Sequence, residues 1–170
     1  VEPRGEGVFT GQTQDHSGIA VLFSGTAVPP CQGNDLWSDR FVESRRIKDE
    51  IAELAASAGC SPSLSVRAVA AEFAGWKLLE RCNISPCTAM GSGAGELLAF
   101  AAAGVVDEDD VLPLAAKMSS ESNLCMALQQ SAFDDPALPV VSSVTGDVVR
   151  DGGRAKDLLV QQFSASARPD

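Results

Sequence analysis

Apolar positions along the chain form short continuous runs that alternate with longer stretches of helical spacing. The run at residues 19–23 (IAVLF) is unbroken, which predicts a strand buried in a sheet and closed by a turn at Ser24 and Gly25. Residues 138–144 are rich in β-branched side chains and predict another strand, and residues 87–90 are a third short segment that enters a run of glycines. Strands of this kind separated by helices predict an α/β fold with a short, mostly parallel sheet.

The spacing of apolar residues also predicts the helices that form the second layer of the fold beside the sheet. The pattern predicts five helices, over residues 35–58, 64–79, 96–103, 107–130 and 155–163. Residues 64–79 are apolar nearly all round, so this helix should be largely buried, with Trp76 as a packing residue. Pro113 is tolerable only if it falls in the first turn of its helix. Gly152 and Gly153 predict a loop.

Length and charge limit the classes of protein to consider. With 170 residues, of which 45% are hydrophobic, the chain suits one domain, expected at residues 18–163 between an N-terminal segment 1–17 and a tail 164–170. A formal net charge of −10 disfavours binding to nucleic acid or to an anionic membrane surface. The longest apolar run, residues 97–106, is roughly half of a membrane span, so no membrane segment is expected.

Cysteine usage predicts a reducing, cytoplasmic setting. The five cysteines are an odd number and are spread along the chain, and residues 1–7 are polar and Gly-rich, unlike a secretory leader. Cys82 and Cys87 form the closest pair, and the single histidine, His16, is far away in sequence. We therefore predict neither a metal site nor a cofactor.

The glycine run is the most informative motif. Gly91-Ser92-Gly93-Ala94-Gly95 has the spacing of a G-x-S-x-G elbow, in which a sharp turn between strand and helix presents a nucleophilic serine. Small flanking residues let the backbone fold that tightly. Here the turn is present, and glycine stands where the nucleophile belongs.

Residues 91–110 (GSGAGELLAFAAAGVVDEDD) resemble acyltransferases of the malonyl-CoA:acyl-carrier-protein type, including the acyltransferase domains of polyketide synthases. These proteins carry a G-H-S-x-G-E elbow, an Ala-rich helix that ends in glycine, and an acidic start to the next helix. Residues 18–36 resemble the family's opening strand and loop, and residues 138–146 resemble its P-V-x-S-N-x-T-G strand and turn. The resemblance implies the α/β-hydrolase-like subdomain of that family.

The catalytic positions that the resemblance implies are degenerate. The family nucleophile falls on Gly93 and the histidine before it falls on Ser92. The arginine that pairs with the malonyl carboxylate falls on Met118, or on Lys117 if the alignment shifts by one residue. The general-base histidine falls just after Phe133, on Asp134. No catalytic set remains, because acyl transfer through a covalent enzyme needs an activated nucleophile and a base.

A subdomain of the family is also missing. Only residues 119–131 stand where the family inserts a ferredoxin-like subdomain, and the family's glutamine-rich loop has no counterpart after Gly25. The resemblance therefore implies a truncated, catalytically inactive acyltransferase-like domain of polyketide or fatty-acid biosynthesis. Such a domain would act as a scaffold that docks to a ketosynthase or an acyl carrier protein, or that self-associates through apolar surface uncovered by the truncation.

Two other hypotheses remain open at this stage. One is an active acyltransferase or hydrolase that uses Ser92 as a displaced nucleophile, with His16 as its base. The other is a module that binds acyl-CoA or an acyl carrier protein without turnover.

Overall fold

The computed structural model describes residues 2–3, 9–10, 18–25, 41–57, 64–118 and 120–166. These ranges hold, in chain order, β1 (Glu2–Pro3), β2 (Phe9–Thr10), β3 (Ala20–Phe23), α1 (Val42–Ser57), α2 (Leu64–Arg81), β4 (Thr88–Gly91), α3 (Gly95–Ala102), α4 (Glu108–Lys117), α5 (Glu121–Gln130), β5 (Val140–Ser142), β6 (Val148–Val149) and α6 (Gly152–Ser166). Strands β1 and β2 pair antiparallel with each other. The predicted α/β fold with a short, mostly parallel sheet is confirmed.

The main sheet has the strand order β3-β4-β5-β6. Strands β3, β4 and β5 are parallel, and β6 returns antiparallel beside β5. One row of paired residues therefore crosses all four strands: Leu22 pairs with Met90, Met90 with Val141, and Val141 with Val148. Because side chains alternate along a strand, all four point to the same face of the sheet.

The helices cover the opposite face. Helix α3 packs on β3, β4 and β5, and α2 packs on α1, α3 and α4. The buried core lies between this layer and the sheet and includes Phe23, Val69, Phe73, Trp76, Ala89, Leu98, Phe100, Leu112, Val140, Val149 and Leu158. Trp76 is 5% exposed and meets Phe23 edge to face at 6.1 Å, so its predicted packing role is confirmed.

Among the described residues, the face that carries the Leu22 row (the bare face) is open to solvent at Leu22, Met90 and Val148, which corrects the prediction that residues 19–23 are buried. Leu22 is 69% exposed, Val148 44% and Met90 38%, whereas Phe23, next to Leu22, is 4% exposed. The reason is topological. Strands β3, β4 and β5 follow one another in a single direction across the sheet, so successive right-handed connections place their helices on one face.

The predicted helix over residues 107–130 is two helices. Asp107 caps α4, its side chain accepting a hydrogen bond from the Asp109 amide, and the helix stops before Ser120, whose backbone is extended. Pro113 lies in the second turn of α4 and not in the first. Residues 35–40 of another predicted helix lie outside the described residues. No helix in the described ranges is long and apolar enough to cross a membrane.

Gly152 and Gly153 open α6 and do not form the predicted loop. The carboxylate of Asp151 accepts a hydrogen bond from the Arg154 amide at 2.7 Å, as an N-cap residue does. A Cβ at Gly152 would lie 2.4 Å from the Phe133 carbonyl oxygen. Glycine stands here because two backbones meet, a requirement that the sequence pattern does not distinguish from a loop.

The two faces of β3 should respond differently to truncation. Replacing Phe23 with Ala removes a buried ring and should lower the free energy of unfolding by about 3–5 kcal/mol. Replacing the adjacent Leu22 with Ala should change it by no more than about 0.5 kcal/mol, because that side chain is already in water. Urea denaturation measures both. Equal losses would mean that the outer face of the sheet is covered.

Candidate functional site

The predicted elbow is present as a strand, a tight turn and a helix. Strand β4 ends at Gly91, α3 begins at Gly95, and Gly93 between them has φ +56°. Two backbone hydrogen bonds between residues three apart close the turn. The Gly95 amide donates to the Ser92 carbonyl at 2.9 Å, and the Glu96 amide donates to the Gly93 carbonyl at 3.2 Å. The residue at position 93 therefore stands at the tip of the turn.

Three glycines around the elbow are required by close backbone contact. A Cβ at Gly25 would lie 1.9 Å from the Ser92 carbonyl oxygen, and one at Gly91 would lie 2.2 Å from the Gly95 carbonyl oxygen. A Cβ at Gly95 would lie 2.5 Å from the carbonyl oxygen of Phe23. None of these positions accepts a side chain without displacing backbone.

Gly93 differs from its neighbours. The nearest heavy atom to a Cβ at this position would be the Gly25 carbonyl oxygen, at 3.7 Å, which is an ordinary contact distance. Only its positive φ disfavours a side chain here. The elbow thus has space for a side chain at position 93, on which the family nucleophile falls. The chain has glycine there.

Ser92, the fallback nucleophile, is exposed one residue before the tip. Its amide donates to the Phe23 carbonyl at 3.0 Å and continues the ladder between β3 and β4. Within the described ranges, no side chain hydrogen bonds to its hydroxyl. His16, the base considered for it, lies outside the described residues.

The structure places Asp134 away from the elbow. The Asp134 amide donates to the Val105 carbonyl at 2.8 Å, and Val105 follows the far end of α3. Because α3 has eight residues, its two ends are about 12 Å apart. The Asp134 carboxylate borders an open depression of about 550 Å³ that is also lined by Asp107 and Asp109.

The family arginine falls on Met118 or Lys117, and both residues lie at the C-terminal end of α4. Met118 caps the C-terminus of α4 and packs, half-buried, against the core. Lys117, at the end of the same helix, is exposed. Among the described residues, no group of three or more His, Cys, Asp or Glu side chains is arranged to hold a metal ion.

Glu72 is a site residue that the sequence pattern did not predict. This residue of α2 accepts hydrogen bonds from the Ser24 hydroxyl and from the Gly25 amide, the latter at 3.1 Å. Gly25 touches the elbow, so the carboxylate holds the loop after β3 against the nucleophile turn. Its signal in the sequence was a single acidic residue within a helix that is otherwise mostly apolar.

Glu96 was also missed as a site residue, although it completes the family's elbow motif. Its side chain is fully buried. Burial raises the pKa of the Glu96 carboxyl above its usual range, while the neighbouring Ser142 hydroxyl and Ser143 backbone oppose this pKa shift. Burial of this kind favours the neutral form of a carboxyl.

Solved structures with this arrangement share one fold. The acyl carrier protein S-malonyltransferase of Vibrio cholerae superimposes with a TM-score of 0.66 at 13% identity, over 86% of this chain and 81% of that one. The acyltransferase domain from the second module of the salinomycin polyketide synthase gives 0.65 at 16% identity, over 84% and 57%. The chain has the acyltransferase fold.

A third similar structure includes a partner. The malonyl-transacylase PlMCAT, solved in complex with the type II polyketide synthase acyl-carrier protein AntF, gives a TM-score of 0.63 at 15% identity, over 86% of this chain and 81% of that one. No protein-family model and no curated protein sequence matches the chain. At these identities the comparison shows a shared fold.

Gly93 and Gly91 differ in the space around a Cβ, so replacing each with alanine should change the free energy of unfolding by different amounts. Gly93→Ala should lower the free energy of unfolding by about 1–2 kcal/mol, because only the left-handed backbone conformation opposes a side chain there. Gly91→Ala should lower it by more, because the methyl group would overlap the Gly95 backbone. Chemical denaturation followed by circular dichroism measures both variants. A loss at Gly93 as large as that at Gly91 would show that position 93 has no space for a side chain.

Proposed function

We propose that the chain is a catalytically inactive acyltransferase-like domain of polyketide or fatty-acid biosynthesis that acts as a structural and docking element. The observation that carries this proposal is Gly93. An elbow with space for a side chain, and with the backbone conformation of a nucleophile turn, holds a residue that has no atom to acylate.

The surroundings of the elbow support the loss of turnover. A serine nucleophile needs a base within hydrogen-bond reach, and Asp134 lies at the other end of α3. Met118 offers no positive charge for an acyl chain that ends in a carboxylate, and Glu72 brings a negative charge to the loop beside the turn. Between α4 and Phe133 the chain holds only the ten residues of α5 in helical form, where the family has a whole subdomain.

The bare face of the main sheet supports a docking role. Its row of apolar side chains crosses every strand of the main sheet and is open to solvent at Leu22, Met90 and Val148. Sheets that are mainly parallel are normally covered on both faces, so this one has apolar surface to offer to another domain. We take an acyl carrier protein as that partner, because a malonyl-transacylase of the same fold was solved with one.

Incubation with radiolabelled malonyl-CoA or acetyl-CoA tests the loss of catalysis. We expect no protein-bound label after gel filtration under denaturing conditions, since no described residue is placed as an activated nucleophile. Ser92→Ala is the matched control. A label on the wild-type protein that Ser92→Ala abolishes would replace this proposal with the displaced-nucleophile enzyme. Saturable binding of the same thioesters without label, seen by calorimetry, would instead favour the binding module.

Introducing a charge at an apolar side chain tests docking. Leu22→Asp places a carboxylate on the bare face and should weaken the affinity for an acyl carrier protein at least tenfold, because a buried unpaired charge strongly opposes association. Met126→Asp is the control, since Met126 is similarly exposed but lies on α5. Analytical ultracentrifugation measures the complex and any self-association. Equal binding by wild type and Leu22→Asp would exclude this face, and assembly with a ketosynthase or a second copy alone would change the partner.

A further inference from the structure

Strand β3 lies at one edge of the main sheet. Among the described residues it pairs only with β4. The Phe23 carbonyl accepts a hydrogen bond from the Ser92 amide at 3.0 Å, so the backbone polar groups of Phe23 point toward β4. Because these groups change side from one residue to the next along a strand, the N–H and C=O groups of Ala20 and Leu22 point away from β4. These outward groups form the β3 edge.

The β3 edge has none of the features that normally prevent two sheets from joining. Proteins protect such edges with charged side chains, proline or a bulge. Residues 19–23 are all apolar, none of them is proline, and β3 pairs with β4 without a break in register. Ala20 is exposed, as are Ile19 at 53% and Leu22 at 69%. The edge therefore offers backbone donors and acceptors in an apolar setting, which is what another strand can match.

The distribution of charge allows a second copy of the chain to approach here. A formal net charge of −10 opposes self-association in general. Residues 17–34, however, contain no Asp, Glu, Lys or Arg, and β3 lies within this neutral stretch. The Glu72 carboxylate is engaged by Ser24 and Gly25, beyond the end of the strand. Two β3 strands can thus meet without bringing like charges of their own together.

We propose that the β3 edge pairs with the β3 edge of a second copy, antiparallel, about a twofold axis at Val21. Ala20 and Leu22 lie symmetrically on either side of Val21, so Ala20 of each copy stands opposite Leu22 of the other. Each such pair exchanges both of its N–H···O hydrogen bonds. The interface uses the same surface on both copies and closes on itself, as the interface of a twofold dimer does.

This pairing joins the two main sheets into one. Ala20 and Leu22 are two residues apart, so their side chains lie on the same face of the sheet, the bare face. Across the axis, the Leu22 side chain of one copy lies beside Ala20 of the other. Since Leu22 is 69% exposed in the single chain, the contact removes apolar area from water and adds to the backbone hydrogen bonds. The inference depends neither on catalysis nor on a carrier protein.

Ala20→Pro tests the pairing. Proline removes an outward N–H from each copy, and an edge strand tolerates proline where its N–H faces solvent. The ladder to β4 is kept through Val21 and Phe23. Ala20→Ser is the matched control, because it keeps the amide and a small side chain. In sedimentation equilibrium we expect the wild type and Ala20→Ser to form dimers, and Ala20→Pro to dimerise about tenfold more weakly or less still.

Three results in this experiment would overturn the proposal. One is a wild-type protein that stays monomeric at every concentration. Another is equal dimerisation by the wild type and Ala20→Pro, which would mean that the copies meet elsewhere. The last is a loss in Ala20→Ser as large as that in Ala20→Pro, because the control retains the backbone donor.

Nuclear magnetic resonance provides a second measurement that needs no variant. In the proposed dimer the two Val21 residues face each other with their Cα atoms about 4.5 Å apart and their Hα atoms in contact. An isotope-filtered NOE experiment on mixed 13C-labelled and unlabelled chains should detect this contact between copies. The Ala20 and Leu22 amides should also gain protection from hydrogen exchange as the protein concentration rises. A dimer without the Val21 contact, or protection that does not depend on concentration, would refute the pairing even if Ala20→Pro failed to fold.

Discussion

The contact of three backbone segments at the elbow is the constraint on which the rest of the structure depends. The end of β3, the end of β4 and the start of α3 approach so closely that Gly25, Gly91 and Gly95 each face a backbone atom within 2.5 Å of where a Cβ would stand. This contact sets how β4 enters α3 and how α3 lies across the sheet. Phe23, whose carbonyl takes part in the contact, anchors the same point to Trp76 of α2.

The direction of the chain across the sheet then determines which surfaces are buried. Strands β3, β4 and β5 advance without a reversal, so the helical layer lies on one face and the Leu22 row lies on the other. An apolar face left in water has no benefit to the isolated domain, because burial of apolar area is the main favourable contribution to folding. Its persistence is consistent with a domain that meets another surface.

Close backbone packing accounts for three of the glycines around the elbow. Gly25, Gly91 and Gly95 each meet a backbone atom, so these positions need glycine whatever residue stands at position 93. Glu96 belongs to the same architecture. Its side chain is fully buried, and this burial raises the pKa of the Glu96 carboxyl above its usual range.

Local pattern was sufficient for the class of fold, for the three parallel strands and for the elbow. These features arise from residues that are close in sequence: apolar runs of strand length, helical spacing, and glycines at fixed intervals. The break in the helix over residues 107–130 and the helical start at Gly152 were not predictable in this way. Each depends on a neighbour that is distant along the chain, such as the Phe133 carbonyl that requires glycine at position 152.

The amino-acid sequence by itself determined which residues form the elbow, including glycine at position 93. Tertiary structure decided what surrounds it. Only the packing of α2 brings Glu72 to the loop after β3, only the length of α3 separates Asp134 from the turn, and only the contact with β5 buries Glu96. Distances between residues far apart in the chain depend on how the layers stack, and side-chain spacing along one segment carries no information about that.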